Sequence, residues 1–202
     1  GMLAQGEISP FYDPMVAKVI AYGETRNDAI RTLARAVEQS VLLGVNSNKE
    51  FLVNLLRHPV VVKGDTNTAF IQEHFQDDVS LNKQSLSLES LALVASLLTN
   101  ASTQSSWNTG ISLSLPLKLR YDEQKLDLIV KRDASNVTVE ACGENLTIQL
   151  LEQSEEQLIY IINGVRRKVD YAVEGNFVYL DAANGNVVVE NITYLAPETT
   201  EV

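Results

Sequence analysis

Cysteine is almost missing: Cys142 is the only one in 202 residues. A single thiol excludes an intrachain disulfide framework and a thiolate metal cluster, and it fits a reducing compartment. Histidine is nearly as scarce, and His58 and His74 have no Cys/His companion at ligand spacing, so no metal site is expected. Apolar runs stop well short of the roughly 18 residues needed to cross a bilayer, and no basic start with an apolar core marks a secretory signal. The ten glycines include no GxGxxG or GxxxxGK spacing, so the loops that cradle phosphates are not here. Basic residues are also in deficit, 16 against 26 acidic, for a net charge of −10. Residues 1–83 carry 8 Lys+Arg against 10 Asp+Glu, whereas residues 84–202 carry 8 against 16. That acidic C-terminal part would repel a phosphate backbone, which makes nucleic acid a poor partner.

What is present is an ordinary globular balance, 45% apolar and 21% charged, in a chain long enough for one large domain or two small ones. The first third reads as mixed α/β. Met15 to Tyr22 (MVAKVIAY) is short, rich in β-branched residues and followed by Gly23, as a strand ending in a turn would be. A helix follows: Thr25 with Asp28 resembles a capping box, Ile30, Leu33, Val37 and Val41 form one stripe, and Gly44 sits where a C-terminal cap is expected. Ser47 with Glu50 starts a second helix, buried through Phe51, Leu52, Leu55 and Leu56 and stopped by His58-Pro59. Residues 60–63 (VVVK) read as a short strand, and a third helix runs from about Thr68 to Phe75. These elements are too few to close a core, so they read as the end of a larger α/β domain. The polar, aperiodic residues 76–85 mark a boundary, giving expected domains at 1–78 and 79–202.

The second domain announces itself differently. Leu91 to Leu98 (LALVASLL) is apolar all round apart from Ser96, so a helix at 86–99 has to be surrounded by protein. Ile111, Leu113, Leu115, Leu117 and Leu119 then alternate with polar or small neighbours, a period of two. Pro116 demotes the middle of that strand to an edge or a bulge. Further strands are expected at 126–131, 137–141, 146–151, 157–162, 165–173, 177–181 and 187–194, with Asn163-Gly164 as a tight hairpin turn. Eight short antiparallel strands after one enclosed helix are most simply a barrel wrapped around it, which also removes open edges. The expected fold is α+β: a truncated α/β end followed by an eight-stranded antiparallel barrel around a central helix.

FYDPMVAKVIAYGETRNDAIRTLARAV, LLGVNSNKEFL and GDTNTAFIQEHF together resemble the C-terminal end of the biotin carboxylase domain of biotin-dependent carboxylases. The resemblance rests on Tyr12-Asp13-Pro14-Met15 with Lys18, Gly23-Glu24-Thr25-Arg26, Gly44-Val45 before Asn48, and Thr68-Ala69-Phe70-Ile71. The helix at 86–99, Trp107 and the strands to about Leu195 are similar in layout to the linking domain of acyl-CoA carboxylase α subunits. It implies an ATP-, Mg- and biotin-dependent ligase as parent protein, of the methylcrotonyl-CoA carboxylase type, with propionyl-, geranyl-, acetyl-CoA and urea carboxylases as alternatives. The implied partners are a carboxyltransferase β subunit and, in the intact protein, a second biotin carboxylase domain. The implied location is the cytoplasm of a bacterium or the mitochondrial matrix of a eukaryote. The ATP-grasp part would precede Leu3, and the Met-Lys-Met biotinylation site would follow Val202, because the only methionines are Met2 and Met15. Gly1 before Met2 reads as a tag-removal scar, so the chain is expected to be an inactive middle fragment with no cofactor of its own.

Candidate site residues divide along the same line. Asp13 and a buried-looking Lys18 suggest acid–base chemistry, but no third group or substrate cradle accompanies them, and a structural role is expected. The resemblance places Tyr12 and Asp13 near a dimer interface, and Thr68 and Ala69 beside the adenine of ATP. His58 and His74 are expected as surface or cap residues. Cys142 is expected to be inert, on the Thr138/Glu140 face of a strand. Arg166-Arg167-Lys168, the only basic run of the acidic domain, is read as solvated strand residues or as a contact with the β subunit or with an acidic neighbour. The N-x-S/T triplets at Asn100, Asn136, Asn145 and Asn191 read as chance matches. A stand-alone barrel that binds a ligand in its lumen is the reading from a different class, and it requires that the helix leave the lumen open.

Overall fold

The computed structural model describes residues 11, 15–81, 85–103, 113–133, 135–182 and 185–194. The chain divides into two compact units, Gly1–Ser40 with Asn48–Lys83 and Val41–Ser47 with Gln84–Val202.

The first unit is helical: α1 (Arg26–Gln39), α2 (Lys49–Arg57), α3 (Pro59–Lys63) and α4 (Phe70–His74), followed by a 3-10 turn at Val79–Leu81. Thr25 starts α1 as its sequence implies, its Oγ1 accepting from the Asp28 N–H at 3.2 Å and donating to Asp28 Oδ2 at 2.7 Å. The C-terminal end differs from expectation. Ser40 caps α1, its N–H donating to the Val37 carbonyl, so Val41 lies off the stripe at 45% exposure and Gly44 belongs to the following connection. Asn48, not Ser47, is the N-cap of α2, and Val53 is that helix's buried residue. Phe51 and Leu55, one turn apart, pack on Val61, Phe70 and Phe75, whereas Leu52 is exposed.

Residues 60–63 form a helix and not a strand. Pro59 stands in the first turn with its φ already set, His58 Nδ1 accepts from the Val60 N–H at 3.3 Å, and Gly64 closes the turn at φ +85. These end signals outweigh the β preference of three valines, which depends on a sheet to pack against. The segment 15–22 forms neither strand nor helix and pairs with no strand among the described residues. Its Ile20 and Tyr22 side chains are 80% and 87% exposed. Lys18, which the sequence presents as buried, is exposed too.

The second unit holds α5 (Leu88–Thr103) and eight strands: β1 (Leu113–Tyr121), β2 (Gln124–Asp133), β3 (Asn136–Ala141), β4 (Glu144–Gln153), β5 (Gln157–Ile162), β6 (Val165–Glu174), β7 (Phe177–Ala182) and β8 (Gly185–Asn191). Each pairs antiparallel with the next, and β1 pairs with β8 to close the barrel. Inward residues recur with period two, as Leu128 and Val130 do on β2 and Leu158, Tyr160 and Ile162 on β5. Together with Leu91–Ala95 and Leu97 of α5, the inward faces of all eight strands make one core cluster. The expected helix-in-barrel arrangement is therefore present. Asn163-Gly164 turns the β5–β6 hairpin with positive φ at both residues, the geometry that an Asn-Gly pair favours. On β8, Asn186 Nδ2 donates to the carbonyls of Leu42 and, at 3.2 Å, Val45, which is why Val41–Ser47 counts with the barrel. Trp107, Ile111 and Leu195 lie outside the described residues.

Pro116 sits at the seam. Lys118 donates its N–H to Thr193 Oγ1 at 3.0 Å and accepts from the Ile192 N–H at 2.9 Å, so its backbone polar groups face β8. Two residues earlier, Pro116 faces the same side, but the β1–β8 register comprises only Leu119↔Asn191 and Arg120↔Glu190. The missing N–H thus costs no ladder bond, which is the edge position that the sequence assigns to this proline.

Candidate functional site

The chemically richest site is the seat of α5 in the barrel. Ser87 caps the helix, its Oγ accepting from the Ser90 N–H at 3.1 Å. In the first turn Glu89 accepts from the Tyr160 hydroxyl at 2.6 Å and from Arg167 Nη1 at 3.0 and 2.9 Å. A carboxylate is favoured at a helix N-terminus, and here two strands deliver donors to it. The Tyr160 hydroxyl is held well above its ordinary pKa, first by burial, then by the hydrogen bond to Glu89 and its negative charge, with Arg167 opposing.

Further along α5, Arg132 of β2 donates to the Ser96 carbonyl at 3.4 Å and to Thr99 Oγ1 at 3.3 Å. Burial lowers the Arg132 pKa, and its guanidinium is held by a mid-helix carbonyl and a hydroxyl of α5. Ser96 and Thr99, both buried, donate to the Leu93 and Ala95 carbonyls at 2.7 and 2.8 Å. Among the described residues no buried side-chain nitrogen or oxygen lacks a hydrogen bond. The seat is a satisfied lock that fixes the helix in the barrel.

The basic run at 166–168 is split by the strand's alternation. Arg167 turns in to Glu89; Arg166 lies 3.8 Å from Glu152, and Lys168 stands opposite Ile159. Glu89, Tyr160, Arg132 and Arg167 are the residues that sequence reasoning missed as a group. Their signal is a charge at an inward position: Arg132 continues the Leu126, Leu128, Val130 series, and Arg167 falls between Val165 and Val169.

The other candidates are scattered. Tyr12 and Asp13 lie outside the described residues. Thr68 and Ala69 form the turn before α4, where the Ala69 N–H donates to Asn67 Oδ1 at 2.9 Å. An exposed hydroxyl and a methyl offer neither a charged donor for phosphate nor a ring for adenine to stack on, so these two residues do not make a nucleotide site by themselves. His58 and His74 are brought together, with ring centroids 4.9 Å apart, and both rings contact Phe70. Among the described residues no group of three or more His, Cys, Asp or Glu is placed to hold a metal ion. Cys142 is not on a strand face: it is an exposed first turn residue at φ +53, because Ala141 and Glu144 already pair across the β3–β4 turn. No helix among the described residues is long and apolar enough to cross a membrane.

Fold and seat define a helix-filled antiparallel barrel joined to a small helical unit. Residues 1–73 match the family described as Biotin carboxylase C-terminal domain. The chain is 28% identical over 228 aligned positions to the mitochondrial methylcrotonoyl-CoA carboxylase subunit alpha of Mus musculus, an alignment covering all of this chain and 31% of that protein. It is 27% identical over 161 positions to the mitochondrial propionyl-CoA carboxylase alpha chain of Sus scrofa, covering 73% of this chain and 22% of that one. It is 41% identical over 70 positions to the biotin carboxylase of Halalkalibacterium halodurans, covering 35% and 16%. The chain thus spans 16–31% of the length of these relatives. Its homologues are α subunits of biotin-dependent carboxylases, together with biotin carboxylase itself.

Proposed function

We propose that the chain is a middle portion of the α subunit of a biotin-dependent acyl-CoA carboxylase. In this reading residues 1–78 complete the biotin carboxylase domain, with Tyr12 and Asp13 toward its self-association contact and Thr68 and Ala69 toward the nucleotide. Residues 79–202 dock the subunit onto a carboxyltransferase β subunit. The observation that carries the reading is the Mus musculus alignment, which runs through the barrel as well as the helical unit. The methylcrotonyl type is the one we infer, supported by an alignment to a methylcrotonoyl-CoA carboxylase subunit alpha that covers all of this chain. The filled barrel supports docking over lumenal ligand binding, because α5 occupies the core where a ligand would sit.

ATP-dependent carboxylation of biotin belongs, in this reading, to the complete subunit, in a bacterial cytoplasm or a mitochondrial matrix. This chain alone is catalytically silent and takes no cofactor. The test is a pull-down of the full chain with the cognate carboxyltransferase β subunit, followed by calorimetry with MgATP. Retention of the β subunit and no heat with MgATP are expected. Failure to retain it overturns the docking role, and tight nucleotide binding overturns the silent-fragment reading.

A further inference from the structure

A groove of about 1000 Å³ runs between α1 and the adjoining parts of α2 and α3, within the helical unit. Its floor is apolar, made by Ile30 and Ala34 of α1, Leu56 of α2 and Val62 of α3. Its rim is basic. Arg31 and Arg35 stand one turn apart on α1, and Arg57 faces them from α2. Glu38, the single carboxylate of the lining, is engaged by Arg57 at 2.7 Å, and Arg31 is steadied by Asp28 at 3.0 Å. With Asp28 and Glu38 set against Arg31, Arg35 and Arg57, the rim keeps a charge of +1, the opposite sign to a chain that carries −10 in all.

Arginine forks match carboxylates in a way that point charges do not, and they are favoured where such groups must be recognised at a surface. The apolar floor asks for side chains rather than a bare anion. A groove of this size and shape suits a short segment laid into it, with anchors at helical spacing. We propose that it binds an acidic, amphipathic segment of a partner protein, whose apolar side chains rest on Ile30, Ala34, Leu56 and Val62 while its carboxylates reach Arg31 and Arg35. Opposite charge on the two sides speeds encounter and selects against basic partners.

The test uses the full chain and two short labelled peptides, one of leucine and glutamate in helical i, i+4 pattern and one with lysine replacing glutamate, read by fluorescence anisotropy. The acidic peptide should bind and weaken as salt is raised, and the basic one should not bind. The double variant R31Q/R35Q should weaken binding by about tenfold or more, because it removes both guanidinium forks that reach the peptide's carboxylates. Glutamine is a good helix former, so unchanged circular dichroism will show that α1 is intact. Equal binding of both peptides, binding of neither, or binding that R31Q/R35Q leaves unchanged would overturn the proposal. Sedimentation adds an independent arm: self-association that R31Q/R35Q abolishes would assign the groove to a second copy of the chain instead.

Discussion

The two units solve the same problem to different degrees. In the barrel, 23 buried side chains from one helix and eight strands form a single cluster; in the helical unit, among the described residues, the buried cluster is Val61, Phe70 and Phe75. The barrel also satisfies its own backbone, each strand pairing on both sides along part of its length. The helical unit instead presents the segment 15–22, with apolar side chains in solvent and no strand beside it among the described residues. Closure, more than element content, separates a self-sufficient core from one that needs further surface: hydrophobic stabilisation scales with the area removed from water, and an open element removes little.

The sharpest way to break that comparison is the core itself. Leu93→Ala, at a fully buried position of α5, should destabilise the barrel by about 2–5 kcal/mol. Denaturant unfolding followed by tyrosine fluorescence and far-UV dichroism should show the barrel transition moving while the helical transition stays in place. One merged transition in the parent chain would contradict independent units. A smaller effect is expected at the seat. Arg167→Met removes the charged donor to Glu89 and should lower barrel stability by about 1–2 kcal/mol, read from the urea midpoint, with solvent screening of the half-exposed guanidinium keeping the value low. In the helical unit Thr25→Ala removes the α1 cap and should cost about 1 kcal/mol, visible as faster amide exchange in the first turn.

Acidity tells the units apart from opposite ends of the scale. Tyr160 has a raised pKa in the folded barrel, so its contribution is complete below the ordinary value of 10.0 and disappears as pH climbs beyond it. Barrel stability should therefore fall above about pH 10, and Tyr160→Phe should flatten that dependence in a urea series. Asp78 in the helical unit is lowered, chiefly by the Ser80 hydroxyl, with the Ser80 N–H and Asn54 amide adding and desolvation opposing. Its contribution is present above the ordinary value of 3.8 and is lost as pH falls below it. Asp78 is part-buried and lowered against an opposing desolvation, so it should give the smallest effect, a slight loss of acid dependence in Asp78→Asn.

Legibility follows the same divide. The barrel could be read because strand alternation and a helix apolar on all sides are each set by burial, and burial leaves a period in the chain. Pro116 and Asn163-Gly164 could be read because their backbone chemistry allows few settings. MVAKVIAY misled because a strand exists only through its neighbour, and VVVK misled because Pro59 and Gly64 fixed the ends before the valines had a sheet to join. The seat of α5 was half legible: the helix was expected inside, but the Glu89–Tyr160–Arg167 contact joins residues more than 70 positions apart, and only the inward parity of Arg167 hints at it.

The narrow seam between β1 and β8 bears on how the barrel assembles. Every other strand pair is a local hairpin, whereas the seam contact from Lys118 to Thr193 closes a loop of 75 residues. Hairpins zip early, and the most distant contact carries the largest ordering entropy, so the seam should form last and set the refolding rate. Because α5 precedes β1, it has to be captured while the ring is still open. Substitutions at Arg120 or Glu190, the ion pair across the seam, should then alter the rate of refolding more than the rate at which early hairpins appear.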